Sequence, residues 1–484
     1  MKMKQKSLFH NVIFNFIYTG LNLLFPLITA PYVSRVLGAS NLGQVNFAAT
    51  IVSWFVLFAT YGTATYGVRE VAKARDDKEK LSTIFSELVI INAILSFVVV
   101  VIYFFVIFSI STFHNEIHLY LIMSLSIVLN MFSIDWYFQG IEEYRYITIR
   151  SAIFKTISLI CIFLFVKESD HYVLYGLISV FATSLSSVLN YIYSKKSVKM
   201  KYRGINPIRH FKRLSVFFFH TLIVSIYTNL DQVLLGLYFD TKAVAFMNRS
   251  KTLVNMAVAI STAISNVTLP RASYYKENDE SSFRYLMSEI PNYILWITIP
   301  ICVSFMYLAS NIMYILGGSE FLEAATLLQI MSLTIVCSPL SGYLQYQVLV
   351  ASGKERIGLY IAILTSLFSL TFNLLLIPRI GLLGAGIVQV LSEFMAVSIR
   401  LYIAKKNLKY SEISFINKSS ISYLVVSMLM GGVMILSRNL IDNLFLSFAV
   451  GILLGGTFYF LALYIIREKI TVYLFDMFFK KLRN

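Results

Sequence analysis

The sequence predicts an all-α polytopic membrane protein of 14 transmembrane helices, in two pseudo-symmetric six-helix lobes plus two extra C-terminal helices. Three observations predict it. Apolar runs of about twenty residues recur along the chain, and at about 1.5 Å per residue each run crosses the roughly 30 Å hydrocarbon core of a bilayer. Lysine and arginine gather in alternate connecting segments. Segments six helices apart echo one another.

The composition sets the class. Hydrophobic residues make up 57% of the 484 positions and charged residues 14%. A soluble chain would have about 45–50% and about 25%. Soluble enzymes and nucleic-acid binders are excluded, as are outer-membrane barrels, whose strands alternate polar and apolar residues. The net charge of +16 therefore reflects the bias of cytoplasmic loops toward cations and does not point to nucleic acid as a partner. Cys161, Cys302 and Cys337 lie in apolar runs without ligand spacing and read as small buried hydrophobes.

The helices are predicted at 10–36, 43–67, 84–110, 117–140, 146–167, 171–194, 211–237, 243–270, 288–316, 323–350, 355–378, 382–404, 419–438 and 442–466. The first follows MKMKQKS, is too long for a signal-peptide core, and is expected to remain as a span. With both termini in the cytoplasm, inner segments hold 33 lysines and arginines. Outer segments hold only Arg35, Lys167, Lys242, Arg379 and Arg438. The expected organisation is an N-terminal lobe at 1–194 (helices 1–6), a basic cytoplasmic linker at 195–213 and a C-terminal lobe at 211–404 (helices 7–12). Helices 13–14 and a basic cytoplasmic tail fill 405–484.

The outer connections are all short, with no room for the folded loop that an enzyme acting on lipid-linked sugars would need. No catalytic residue and no cofactor is expected. Gly353-Lys354 is followed by Glu355 and makes no phosphate loop. His114 and His118 have metal-site spacing but no third ligand nearby, and read as a solvated turn.

An internal repeat supports the two lobes. Arg35-Val-Leu-Gly38 leads through Gly43 to Asn46, and Leu237-Tyr-Phe-Asp240 leads through Ala245 to Asn248. Each is a helix end, a tight polar turn and a re-entering helix. Gln139-Gly140-Ile-Glu142 opens one inner loop as Ser352-Gly353-Lys-Glu355 opens another. Copies separated by six helices share one orientation, as in two-lobed secondary transporters, whose substrate sites lie near the midplane.

These residues also carry a family likeness. Asp135-Trp136-Tyr137-Phe138-Gln139-Gly140, followed by Glu142, Tyr144 and Tyr146-Ile147, resembles the end of helix 4 in polysaccharide-biosynthesis membrane proteins. These are the Wzx-type flippases of the multidrug/oligosaccharidyl-lipid/polysaccharide exporter superfamily. Arg35-Val-Leu-Gly38, and Pro378-Arg-Ile-Gly381-Leu-Leu-Gly384-Ala-Gly386 leading to Glu393, look like further family segments. The resemblance implies translocation of an undecaprenyl-pyrophosphate-linked oligosaccharide from the inner to the outer leaflet of a bacterial cytoplasmic membrane. It extends the expected partners to membrane lipids and to a polysaccharide polymerase with other assembly proteins. A cation-coupled multidrug exporter and a lipid II flippase share the superfamily and remain as alternatives.

A lipid-linked sugar needs a polar-lined path for its glycan and cations for its pyrophosphate, since charge-assisted bonds to phosphate are the strong ones. Helix 8 places Asn248, Lys251, Asn255, Thr262 and Asn266 along one face, and helix 1 does the same with Asn11, Asn15, Thr19, Asn22 and Thr29. Helix 7 offers His220, Tyr227 and Asp231, and helix 2 offers Asn46, Thr50 and Ser53. In lipid such faces turn inward, to line a cavity or to bond neighbouring helices.

Embedded charges sharpen the reading, because each costs about 2.5–3.5 kcal/mol at the bilayer centre on the insertion scale. Lys155 and Lys251 are the expected pyrophosphate ligands. Arg249 either joins them or pairs with Asp231, and Arg35 is either an interfacial snorkeler or a contact for departing cargo. Asn22, Asn255 and Gln139 are expected polar contacts. Trp136 fits either an interfacial belt or a sugar-stacking platform. Asp231, Glu393 and Asp135 are the candidates for ion coupling, since burial tunes a carboxylate to load and release protons. The eight cations of 195–213 read mainly as a topology signal, with attraction to anionic lipid headgroups as an addition. The mechanism expected is alternating access.

Overall fold

The computed structural model describes residues 8–483; the side chains of 8–13, 15, 16, 23, 263, 264, 266, 267 and 478–483 lie outside the described set. Asn11, Asn15 and Asn266 of the expected polar stripes therefore fall outside the described side chains. Every regular element among the described residues is helical. Of these, 10 helices are long and apolar enough to cross a membrane, or 11 if the bent pair Ser319–Met331 and Thr334–Val350 is taken as one span.

Three features separate that number from fourteen. Leu8–Thr60 and Glu355–Lys406 each join two helices across a kink at a non-helical residue, Gly38 (φ 70°, ψ 173°) and Gly381 (φ 57°, ψ −133°) respectively. Thr241–Asn278 is long enough, but its polar residues, Arg249 and Lys251 among them, keep it out of the apolar set.

The chain reverses direction at Gly38. Before it, the Thr148 hydroxyl donates to the Phe14 carbonyl at 2.9 Å and the Tyr32 hydroxyl to the Val166 carbonyl at 2.7 Å. Numbers rise together, so this half runs parallel to Tyr144–Phe165. After it, Phe55 meets Tyr103 with ring centroids 5.0 Å apart, and Thr63 donates to Asn92 at 2.8 Å. This half is antiparallel to Lys78–Ser109. That helix is in turn antiparallel to the segment 111–140, through Tyr103 to the Tyr120 carbonyl at 2.8 Å and Asn92 to the Ser133 carbonyl at 3.4 Å. The next helix turns back once more, so the halves flanking Gly38 are antiparallel. An L side chain is disfavoured at that φ, and glycine makes the turn cheaply.

Two compact units result, one of Met1–Gly236 with Asp240–Ala245, the other of Leu237–Phe239 with Phe246–Asn484. In the first, Phe211–Tyr238 packs along the second half of Leu8–Thr60. Thr50 donates to Gln232 at 3.3 Å, Tyr61 meets Ser215 at 3.0 Å, and Phe47 lies against Gly236. This helix belongs to the first unit as far as Gly236. The two repeat-related turns also touch within this unit. A Cβ on Gly43 would sit 1.9 Å from the Thr241 carbonyl oxygen, and the Thr241 hydroxyl donates to the Ser40 carbonyl at 3.4 Å.

In the second unit, Lys418–Leu440 and Leu444–Ile465 pack against Glu280–Gly317. Asn311 donates to the Leu444 carbonyl (3.0 Å) and Ser447 (2.8 Å), and the Tyr459 hydroxyl donates to the Trp296 carbonyl at 2.8 Å. Helix starts are set by side-chain caps. Asp279 accepts from the amides of Ser281 and Ser282, both at 3.1 Å, and Asn417 with Ser420 forms a capping box.

Candidate substrate-binding site

Lys155 lies midway along Tyr144–Phe165, about 16 Å from either end at 1.5 Å per residue. The parallel register with Leu8–Gly38 brings Asn22 to the same level. The Lys155 ammonium donates to the Asn22 carboxamide oxygen and stands over the Phe25 ring, 5.7 Å from its centroid. Both contacts are uncharged. No carboxylate lies within salt-bridge reach of Lys155 among the described residues, so the site carries a net positive charge at the middle of an apolar helix. Lys155 is half-buried, and a cation inside an apolar span without a counter-charge is costly, a cost an anionic ligand would offset.

Arg150 on the same helix has the opposite character. It is buried and donates in fork geometry to Asp135, Nη1 to Oδ1 at 2.9 Å and Nη2 to Oδ2 at 3.3 Å. Asn190 also donates to Asp135. Asp135 is thus a neutralised, hydrogen-bonded carboxylate joining three helical segments. Trp136 beside it is buried, its indole N–H donating to the Ser133 carbonyl at 3.1 Å and its ring set against Gly67 and Phe85. It stands in the core of the first unit, and Gln139 is half-buried.

The other expected residues divide between the units. In the first, Arg35 is exposed just ahead of the Gly38 break, and Asp231 is buried with its carboxylate accepting the Gln232 amide at 2.8 Å. In the second, Thr241–Asn278 carries buried Arg249, half-buried Lys251 and exposed Asn255, and Glu393 is buried beyond Gly381. The helix 2 residues Asn46 and Ser53 line a cavity of about 490 Å³ in the first unit, walled also by segments of 111–140 and 169–194.

The sequence reading passed over one cluster. Glu87, fully buried near the start of Lys78–Ser109, accepts from the Asn206 amide (2.8 Å), from Arg209 Nη2 (2.5 Å) and from His210 Nε2 (2.7 Å). The other His210 nitrogen meets the Tyr66 hydroxyl at 2.7 Å. Arg209, counted in the 195–213 segment only for its charge, thus has a specific partner, and His210, not counted there, shares it. An acidic residue inside a predicted span was the available signal.

The long apolar helices, two of them broken at glycine, define the fold of a multi-pass membrane protein. That fold is similar to the lipid II flippase MurJ in its inward closed conformation, with a TM-score of 0.78 at 18% identity, covering 95% of this chain and 99% of that one. It is also similar to an inward-facing MATE family multidrug-resistance transporter of the MOP superfamily, with a TM-score of 0.62 at 14% identity, covering 83% and 98%. A candidate O-antigen transporter of Shigella dysenteriae is 25% identical over 400 residues, covering 82% of this chain and 99% of that protein. The chain belongs to the polysaccharide biosynthesis protein family, whose model matches residues 8–276.

Proposed function

We propose that this protein is a flippase that moves undecaprenyl-pyrophosphate-linked oligosaccharide from the inner to the outer leaflet of a bacterial cytoplasmic membrane by alternating access. The observation that carries this reading is the cation of Lys155 at midspan, set against Asn22 and Phe25 with no carboxylate within salt-bridge reach among the described residues. A pyrophosphate supplies the missing negative charge. In our reading Lys155 and Asn22, both of the first unit, are its ligands; within the second unit Lys251, Arg249 and Asn255 are further cargo contacts, and Asp231 and Glu393 are the acids that couple transport to an ion. Asp135 we assign to holding Arg150.

Fourteen crossings are part of the proposal. The halves flanking Gly38 and Gly381 count separately, Thr241–Asn278 counts as a crossing despite its polar stripe, and the bent pair 319–350 counts once. The reversal at Gly38 supports the first of these, and the cation split of 33 to 5 supports an even number with both termini in the cytoplasm.

The test uses a deletion strain kept viable by conditional expression, with synthesis of the lipid-linked oligosaccharide intact. Loss of the protein is expected to accumulate complete units shielded from a membrane-impermeant glycan probe on intact protoplasts. No accumulation, with sensitivity to cationic dyes instead, would overturn the reading in favour of drug export.

A further inference from the structure

The cavity of the first unit is unlike the Lys155 site. Its walls hold amides and hydroxyls, among them Asn46, Ser53, Ser126, Asn130, Thr183 and Ser184, interleaved with valines. Among the described residues no lysine, arginine, histidine or carboxylate lines it, and Tyr175 is the one aromatic residue. Such a wall has no counter-charge for a pyrophosphate or a cationic drug, and its polar groups disfavour a hydrocarbon tail. Its volume of about 490 Å³ falls in the about 300–1,000 Å³ range of small-molecule sites.

One further feature marks it. The helix 169–194 leaves α-helical geometry at the cavity, where Phe181–Leu185 form a π turn that carries Thr183 and Ser184. Such turns interrupt the regular backbone bonding and are frequent at functional sites.

From the cavity, its charge-free polar lining and the π turn, we infer that this pocket is a glycan subsite that takes uncharged sugar rings of the cargo. A sugar ring presents hydroxyls at its edge and C–H groups on its faces, which matches hydroxyls and amides set among valines. The inference rests on the flippase reading, and it separates two tasks: Lys155 and Asn22 hold the pyrophosphate, and the cavity holds the sugar.

The experiment measures binding to the full-length protein in nanodiscs. The probes are undecaprenyl pyrophosphate bare, and the same carrier bearing one or two N-acetylhexosamine residues. In the wild type each added sugar is expected to tighten binding, by at least about tenfold in total. Ala49→Phe, which fills the cavity, and Thr183→Val, which removes a hydroxyl at nearly constant shape, should each remove most of that gain, with thermal melting as the check on folding. A gain that persists in both variants, or no gain in the wild type, overturns the subsite. Failure of the wild type to bind any of the undecaprenyl pyrophosphate probes overturns the flippase reading itself.

Discussion

Lys155 and Arg150 lie on the same helix of the first unit, and among the described residues only Arg150 is neutralised by a carboxylate, that of Asp135 at 2.9 Å. Lys155 meets an amide oxygen and a ring face instead. One cation is built into the scaffold and the other is left to be answered from outside it.

Lys155→Ala is expected to weaken binding of undecaprenyl pyrophosphate by about tenfold or more, as loss of a charge-assisted contact implies. Lys155→Arg should retain most of it. Asn22→Asp should raise the melting temperature while also weakening binding, because the introduced carboxylate neutralises Lys155. Binding measured by titration in nanodiscs, set beside thermal melting, checks all three; equal affinity for Lys155→Ala and wild type would remove Lys155 from the site.

Arg150→Ala leaves Asp135 with Asn190 as its side-chain donor. We expect a loss of about 2 kcal/mol, less than the about 3–5 kcal/mol of a fully buried pair because Asp135 is about one-third exposed. A double-mutant cycle with Asp135→Asn should show coupling between the two positions.

Glu87→Gln removes the carboxylate that receives Arg209 and His210 and should cost about 2–3 kcal/mol. The segment 195–206 should then be cut faster by trypsin under native conditions. An unchanged cleavage rate would show that Glu87 does not anchor it.

Gly43→Ala should destabilise by about 1–3 kcal/mol, because its methyl group would overlap the Thr241 carbonyl. Gly20 has nothing within 4 Å of its would-be Cβ, and Gly20→Ala should be neutral or stabilising by up to about 1 kcal/mol. Melting curves of the two variants side by side distinguish a packing requirement from a general intolerance of these helices to alanine.

Hydrogen bonds from Ser281 and Ser282 hold the exposed Asp279 carboxyl down at about 2, from an ordinary 3.8. A depressed folded value means that the cap contributes fully above pH 3.8 and is lost as pH falls through about 2. Asp279→Ala should therefore melt below wild type by a constant margin from pH 7 to about 4, and the margin should close toward pH 2. A margin that closes already by pH 5 would place the effect elsewhere.

Much of the candidate site was legible one residue at a time. Lys155, Asp135, Asp231 and Glu393 stand out because a charge in an apolar run is costly whatever surrounds it. Their partners were not legible. The pairing of Asp135 with Arg150 and Asn190, and of Glu87 with Arg209 and His210, joins residues distant in sequence, and hydropathy carries no record of which faces meet. Trp136 shows the same limit. The sequence reading left an interfacial belt and a sugar platform open, and packing against Gly67 and Phe85 buries the ring in the core.

The sequence by itself determined the membrane-spanning, all-helical class and the apolar segments, because the bilayer acts on each segment separately through its length and hydrophobicity. It also marked the polar stripes and the embedded charges, since each pays its desolvation cost locally. Only the tertiary structure decided that the chain turns back on itself at Gly38, that Lys155 meets Asn22 while Arg150 meets Asp135, and that hydroxyls from three segments enclose one cavity. Those outcomes depend on the register and rotation with which helices pack, and that is fixed by many weak contacts between distant residues acting together.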